Sequence, residues 1–432
     1  MNWRDTYRSK ICSADDAVRV IGSRQRLFMT GNCSVPKELL GALVRRAPEL
    51  EDVEIVQVLT IGPAEYVEPC MAGHIRVNSL FISANVRKAV NEGRADFTPV
   101  LLSQIPQLLR DPSLLRPDVA MIHCSPPDEH GFCTFGVEVG LTKPAAEAAR
   151  IVLAEVNDRM PRSLGDSFIH VGRLTHIVPV SYPIVEVPMG APGELQKRIA
   201  SHIAELIPDG ATIQMGIGEI PDAVLLYLRD KRDLGVHTEL FSDGIIDLID
   251  GGVITNAAKT IHRGKVISGF AIGSQRLYDY MDNNPIFEFH PQDYINDPFV
   301  IAQNVKMVAL NSALEVDLTG QVCADSIGTL FYSGVGGQLD FIYGASRSPG
   351  GVPIIALPAT AKDGAVSRIV STLKLGAGVV TTRNHVHYVV TEYGVAHLYA
   401  KTLRQRARAL IDIAAPEFRA ELEQKAIELR YL

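Results

Sequence analysis

Short apolar runs alternate with stretches of helical spacing along most of the chain. The apolar positions predict strands at Arg26–Gly31, Val53–Leu59, Ile75–Phe81, Phe97–Leu101, Asp118–Cys124, Ile151–Val156 and Ile184–Val187. Helical periodicity lies between them: residues 1–25, the stretch from Val35 to Leu40, and Asn85–Asn91. The run Asp118-Val-Ala-Met-Ile-His-Cys124 has no polar alternation, as in a parallel strand covered on both faces. Prolines and glycines between Tyr182 and Pro192 then mark a boundary. Beyond it the alternation resumes. A helix is predicted at Glu194–Leu206 and another at Ala223–Arg229, with strands at Ala211–Met215, Val266–Ile272, Met307–Leu310, Glu315–Leu318, Ile354–Leu357 and Val386–Thr391. Two amphipathic helices broken at Pro416 close the chain, their arginines solvated or facing a neighbouring subunit. This pattern predicts an α/β protein of two domains, residues 1–188 and 189–432, with enough similarity between them to hint at duplication.

Composition narrows the class. The 432 residues are 47% hydrophobic and 21% charged, a globular profile, and the net charge of -7 argues against a nucleic-acid partner. No apolar run is long enough for a membrane span, and the start, Met1-Asn2-Trp3-Arg4-Asp5, lacks a signal-peptide core, so a cytoplasmic location is expected. The six cysteines show no Cys-x-x-Cys spacing, which argues for reduced thiols and against a zinc site. Arginine-bearing terminal helices and apolar content point to a homodimer or homotetramer.

Five stretches carry candidate chemistry. In Val236-His-Thr-Glu-Leu-Phe-Ser-Asp-Gly244, Glu239 stands among apolar residues just before a turn. It reads either as a surface carboxylate at a turn or as an acid projected into a cleft, where desolvation would cost dearly without a role. Gly216-Ile217-Gly218-Glu219-Ile220 joins a strand to a helix start, an anion-binding geometry or simply a tight turn requiring positive φ. The Gly-x-Gly-x-x-Gly fingerprint is not completed there, which weighs against a dinucleotide-dependent dehydrogenase. Ser333-Gly-Val-Gly336-Gly337 can turn its amides inward as an anion cradle ahead of a strand at Phe341-Ile342, or be a flexible connection. Lys362 follows the strand ending at Leu357 in a loop of small residues and is either a phosphate or carboxylate partner or a solvated cation. In the first half, Ser125-Pro-Pro-Asp-Glu-His-Gly131 follows a parallel strand, where open sheets place ligands and where plain connections also occur.

Taken together, Gly216 to Ala223, His237-Thr-Glu-Leu-Phe-Ser-Asp-Gly244, Asn311-Ser-Ala-Leu-Glu-Val-Asp-Leu-Thr-Gly320, Ser333 to Phe341 and Val390-Thr-Glu-Tyr-Gly394 resemble the acetyl-CoA hydrolase/transferase family. Within it they are most similar to the 4-hydroxybutyrate and butyrate:acetate CoA-transferases. The likeness covers essentially the whole second half, five stretches in order. In the first half it rests mainly on Ser125–Gly131.

The resemblance implies two related open-sheet α/β domains with the active site at their junction. It implies Glu239 as nucleophile, Gly336 and Gly337 as an oxyanion hole, and Gly216, Ile217, Gly218, Glu219, Ile220, Asn311, Gly337 and Lys362 on the coenzyme A side. Coenzyme A would enter as an acyl-CoA substrate, its partner a short carboxylic acid, with no metal and no ATP required. An acyl-CoA hydrolase of the same family and a noncatalytic protein binding CoA or a sugar phosphate are the alternatives.

Overall fold

The computed structural model describes residues 2–188 and 190–432. Two compact units divide the chain: Met1–Pro188 with Ile267–Ile295, and Met189–Val266 with Asn296–Leu432. Residues 267–295, which the sequence reading assigns to the C-terminal domain, therefore pack within the first unit.

In the first unit the main sheet is built from β1 (Arg26–Met29), β2 (Val53–Val58), β3 (Ile75–Phe81), β4 (Asp96–Phe97) and β5 (Val119–Cys124). Two further strands complete it, once the short antiparallel pair β6 (Phe132–Thr134) and β8 (Phe168–His170) is set aside: β7 (Ile151–Asn157) and β9 (His176–Val180). Their order is β4-β3-β2-β1-β5-β7-β9, and every pairing is parallel. All six residues of β5 are buried, which is why that run carries no alternation. The first unit's order reverses between β1 and β5.

Gly31, two residues beyond β1, is under a tight constraint, since a Cβ there would collide with the carbonyl oxygens of Val58 and Leu59. Asn32 follows with φ 52° and donates its backbone N–H to Leu59 at 2.6 Å. After β5, the Ser125–Gly131 loop is closed by Asp128. Its Oδ1 accepts from the backbone amides of His130 and Phe132 at 2.9 Å.

The second unit opens with β10 (Thr212–Met215) and β11 (Gly235–Phe241). The chain then returns to the first unit through β12 (Val266–Ala271) and β13 (Phe287–Phe289). The amides of Val139 and Gly140 donate to Gly269 O, and Ala271 N to Val137 O, which fastens this excursion. Back in the second unit come β14 (Met307–Ser312), β15 (Val352–Ala356), β16 (Tyr388–Thr391) and β17 (Gly394–His397). The second unit's strands run β11-β10-β14-β15-β16-β17, parallel except for the final β16–β17 hairpin. The reversal of order here falls between β10 and β14, the place where an open parallel sheet offers a crevice at its carboxyl edge.

Several predicted elements differ. Ile184–Val187 forms no strand; the neighbouring strand is β9. Of Phe97–Leu101 only Phe97 is in a strand, the two-residue Asp96–Phe97, because Pro99 cannot extend the ladder. Residues 1–25 break into Trp3–Ser9, Ala14–Ala17 and a 3₁₀ turn, with Asn2 and Ser13 as N-caps. Glu315–Asp317 joins a separate three-stranded sheet. The closing helices are Leu403–Asp412, started by a Thr402/Gln405 capping box, and Pro416–Glu428, where Pro416 sits at the first helical position. Among the described residues no helix is long and apolar enough to cross a membrane.

Candidate active site

Glu239 lies near the carboxyl end of β11, partly buried between the fully buried Thr238 and Leu240. Three groups of the second unit meet it. Asn296 donates from Nδ2 to Glu239 Oε2 at 3.2 Å. The backbone N–H of Gly337 donates to the same carboxylate. Asp340 adds a buried negative charge, and its Oδ2 stands 3.5 Å from the same Asn296 Nδ2. Burial, then the charge of Asp340, raises the glutamate from its usual 4.5 to about 7, while the Asn296 amide and the Gly337 N–H pull the other way.

The glycine loop reaches Glu239 because it ends in a helix. The strand expected at Phe341-Ile342 is instead part of the helix Gln338–Arg347, with Gly337 at its N-cap. Amides in a first turn have no intrahelical acceptor, so that of Gly337 is free to point at a carboxylate. Gly336 turns the chain with φ 61°. Gly337 itself has an ordinary φ, and its glycine identity answers a different need: a Cβ there would collide with Glu239 Oε2 and Asn296 Nδ2. Gln338 pins the loop, donating to Ser312 O at the end of β14 at 2.6 Å and accepting from Thr381 Oγ1 at 3.1 Å.

The remaining sequence candidates lie along the same carboxyl edge or beyond it. Gly216–Gly218 follows β10, Gly218 with φ 125°, and leads into the helix Glu219–Leu226, which starts four residues before the predicted Ala223. Ile217, Gly218 and Glu219 are exposed and Ile220 is buried; Glu219 accepts from Gln196 Nε2. Within this helix Asp222 is buried, which lifts its carboxyl to about 6, and Ser242 Oγ donates to it at 3.3 Å. Asn311, next to last in β14, donates from Nδ2 to Gln214 Oε1 of β10 at 3.1 Å. Lys362 is exposed, with φ 51°, at the tip of the Thr360–Ala361/Val366–Ser367 hairpin. Thus Glu239 and Gly337 are in direct contact and Gly336 adjoins them. Gly216 and Asn311 flank the strand reversal, and Lys362 stands at a loop tip.

Asn296 and the role of Asp340 escape a sequence reading. Asn296-Asp297-Pro298 has the look of a plain turn, and Asp297 does cap the short helix Pro298–Ile301. The asparagine before that cap supplies the amide. Asp340 reads only as one more polar residue behind the glycines. Its position in the first turn of a helix is what aims it at the Asn296 amide.

An open sheet with a partly buried glutamate beside a glycine-capped helix fits an enzyme of acyl transfer, and comparison with known proteins gives the class. Models of the acetyl-CoA hydrolase/transferase N-terminal domain and C-terminal domain match residues 1–187 and 273–426. The chain belongs to that family and is an enzyme of the CoA-transferase type. It is 50% identical over 422 residues to the 4-hydroxybutyrate coenzyme A transferase of Clostridium kluyveri, covering 98% of each chain. It is also 46% identical to the succinyl-CoA:acetate/propanoyl-CoA:succinate CoA transferase of Fasciola hepatica, covering 96% of this chain and 87% of that one. Among solved structures, the 4-hydroxybutyrate CoA-transferase of Porphyromonas gingivalis is 42% identical, with a TM-score of 0.86 and coverage of 99% and 100%.

Proposed function

We propose that this enzyme moves CoA from an acyl-CoA to a free short carboxylate, 4-hydroxybutyrate or butyrate, with acetyl-CoA and acetate as the partner pair, in two half-reactions through a thioester on Glu239. The observation that carries the reading is one carboxylate held between the amide of Asn296 and the N–H of Gly337. In the first step an oxygen of Glu239 attacks the thioester carbon. The C–S bond breaks, CoA leaves as thiolate with the bonding pair, and a mixed anhydride remains. The thiolate then attacks the glutamyl carbonyl carbon. A C–S bond forms, the anhydride C–O bond breaks, and the donor acid departs as carboxylate. An acceptor carboxylate runs the sequence in reverse.

The two donors on Glu239 suit the second step above all. When the thiolate adds, the glutamyl oxygen becomes the oxyanion, and donors already aimed at it need no rearrangement. The reaction exchanges one thioester for another, so the residues supply position and electrostatics. In this reading Gly216 to Ile220, Asn311 and Lys362 line the CoA side, with the positive end of the Glu219–Leu226 helix toward a phosphate.

The test is incubation with butyryl-CoA or acetyl-CoA followed by borohydride trapping and mass spectrometry. The expected modification maps to Glu239, and double-reciprocal plots against donor and acceptor acid are parallel. Rapid donor loss with no acid present would favour the hydrolase. Binding of acyl-CoA with neither adduct nor turnover would make the chain a noncatalytic binder.

A further inference from the structure

We infer that Asp340 is a positioning residue of the transfer reaction: from the first turn of the helix Gln338–Arg347 it holds negative charge against Glu239 across the shared Asn296 amide, and so favours the glutamyl thioester over the free carboxylate. The inference rests on Glu239 being the nucleophile.

The geometry is a bridge. One nitrogen, Asn296 Nδ2, stands 3.2 Å from Glu239 Oε2 and 3.5 Å from Asp340 Oδ2. Asn296 is fully buried and Asp340 is 1% exposed, so water screens little on the Asp340 side of the bridge. The groups around this bridge come from three segments of the second unit. From β11 itself comes His237, buried beside Phe341 and 3.4 Å from Asn304 Nδ2. From the segment after Ile295 comes Asn296, which is uncharged. From the Gln338–Arg347 helix comes Asp340, whose charge raises the proton affinity of Glu239.

Two like charges facing one amide is an unfavourable resting state, and acylation relieves it. On forming the thioester, Glu239 loses its charge and the negative charge leaves with the released acid. Asp340 then opposes only a neutral acyl group. A fixed anion therefore makes Glu239 a more basic, more reactive carboxylate and shifts the internal equilibrium toward the acylated enzyme by the same factor. Neither effect requires Asp340 to touch the substrate.

The experiment compares Asp340→Asn, Asp340→Glu, Glu239→Gln and the wild type. Each full-length enzyme is equilibrated with butyryl-CoA and butyrate at a series of fixed ratios, then acid-quenched for intact mass. In Asp340→Asn the ratio of glutamyl-CoA to free enzyme is expected to fall about tenfold, and the acid limb of kcat/KM to move down by about one pH unit. Asp340→Glu is expected to restore both. Should Asp340→Asn not accumulate as folded protein, Asp340→Ser, smaller and equally neutral, is measured in the same way. An unchanged ratio together with an unmoved acid limb overturns the inference while leaving the nucleophile in place. An adduct that persists in Glu239→Gln overturns the nucleophile itself.

Discussion

Replacing Glu239 by glutamine should abolish transfer and, in the same protein, raise stability at alkaline pH. The side chain is displaced from its usual 4.5 to about 7, chiefly by burial and then by Asp340. Keeping it ionised in the fold at pH 8 therefore costs about 3 kcal/mol, at about 1.4 kcal/mol for each tenfold change in proton affinity. The sign follows from proton counts. Between pH 4.5 and 7 the folded protein holds a proton on Glu239 that the unfolded chain has released, so the wild type loses stability as pH rises through that window. Below pH 4.5 both states are protonated and the difference disappears. Glutamine keeps an oxygen for Asn296 and Gly337 but never ionises. Urea unfolding of the two proteins at pH 5 and pH 8 is the assay. The difference between them matters, since Glu138 and Glu155 are also buried and lifted to about 7, and they cancel in the comparison. The variant should gain about 2–3 kcal/mol at pH 8 and less than about 1 kcal/mol at pH 5. An advantage equal at both values would refute the electrostatic account of this site.

Other outcomes follow from the same geometry. The kcat/KM of the wild type should fall as pH drops through about 7, where Glu239 takes up its proton, and a pH–rate profile with short acyl-CoA donors measures it. Gly337→Ala puts a methyl group where Glu239 Oε2 and Asn296 Nδ2 now sit, and kcat should fall by about 10²–10³, read in a steady-state acyl transfer assay. Asn296→Ala removes the amide shared by two acids and should cut turnover by about 10² or more, with the loss carried by kcat more than KM. Gly31→Ala drives a Cβ into the backbone carbonyls of Val58 and Leu59 and should destabilise the first unit by about 2–3 kcal/mol in denaturant titrations.

Much of the sheet architecture was readable because parallel strands are buried on both faces and so stand out as unbroken apolar runs. β5 and β10 are examples, wholly buried along their length. Less legible were elements whose fate depends on tertiary partners. Ile184–Val187 is as apolar and β-branched as a strand but lies outside every ladder. Phe341-Ile342 looks like a strand start until Gly337 is seen to cap a helix. The glutamate and its glycine could be named in advance, since a turn signal and a glycine cluster are local features. The amide from Asn296 could not: it comes from 57 residues further along the chain, behind an Asn-Asp-Pro turn that has its own local explanation.

The excursion at residues 267–295 limits how this chain can be cut or recombined. A fragment stopping at Pro188 would lack the segment whose Gly269 carbonyl receives the amides of Val139 and Gly140, leaving those donors to solvent. The complementary fragment would carry that segment without the Val137–Gly140 backbone it bonds. Gene fusion or shuffling of the two halves at a single crossover would therefore yield mismatched pieces, and inheritance of the units as separable modules would require at least three breakpoints.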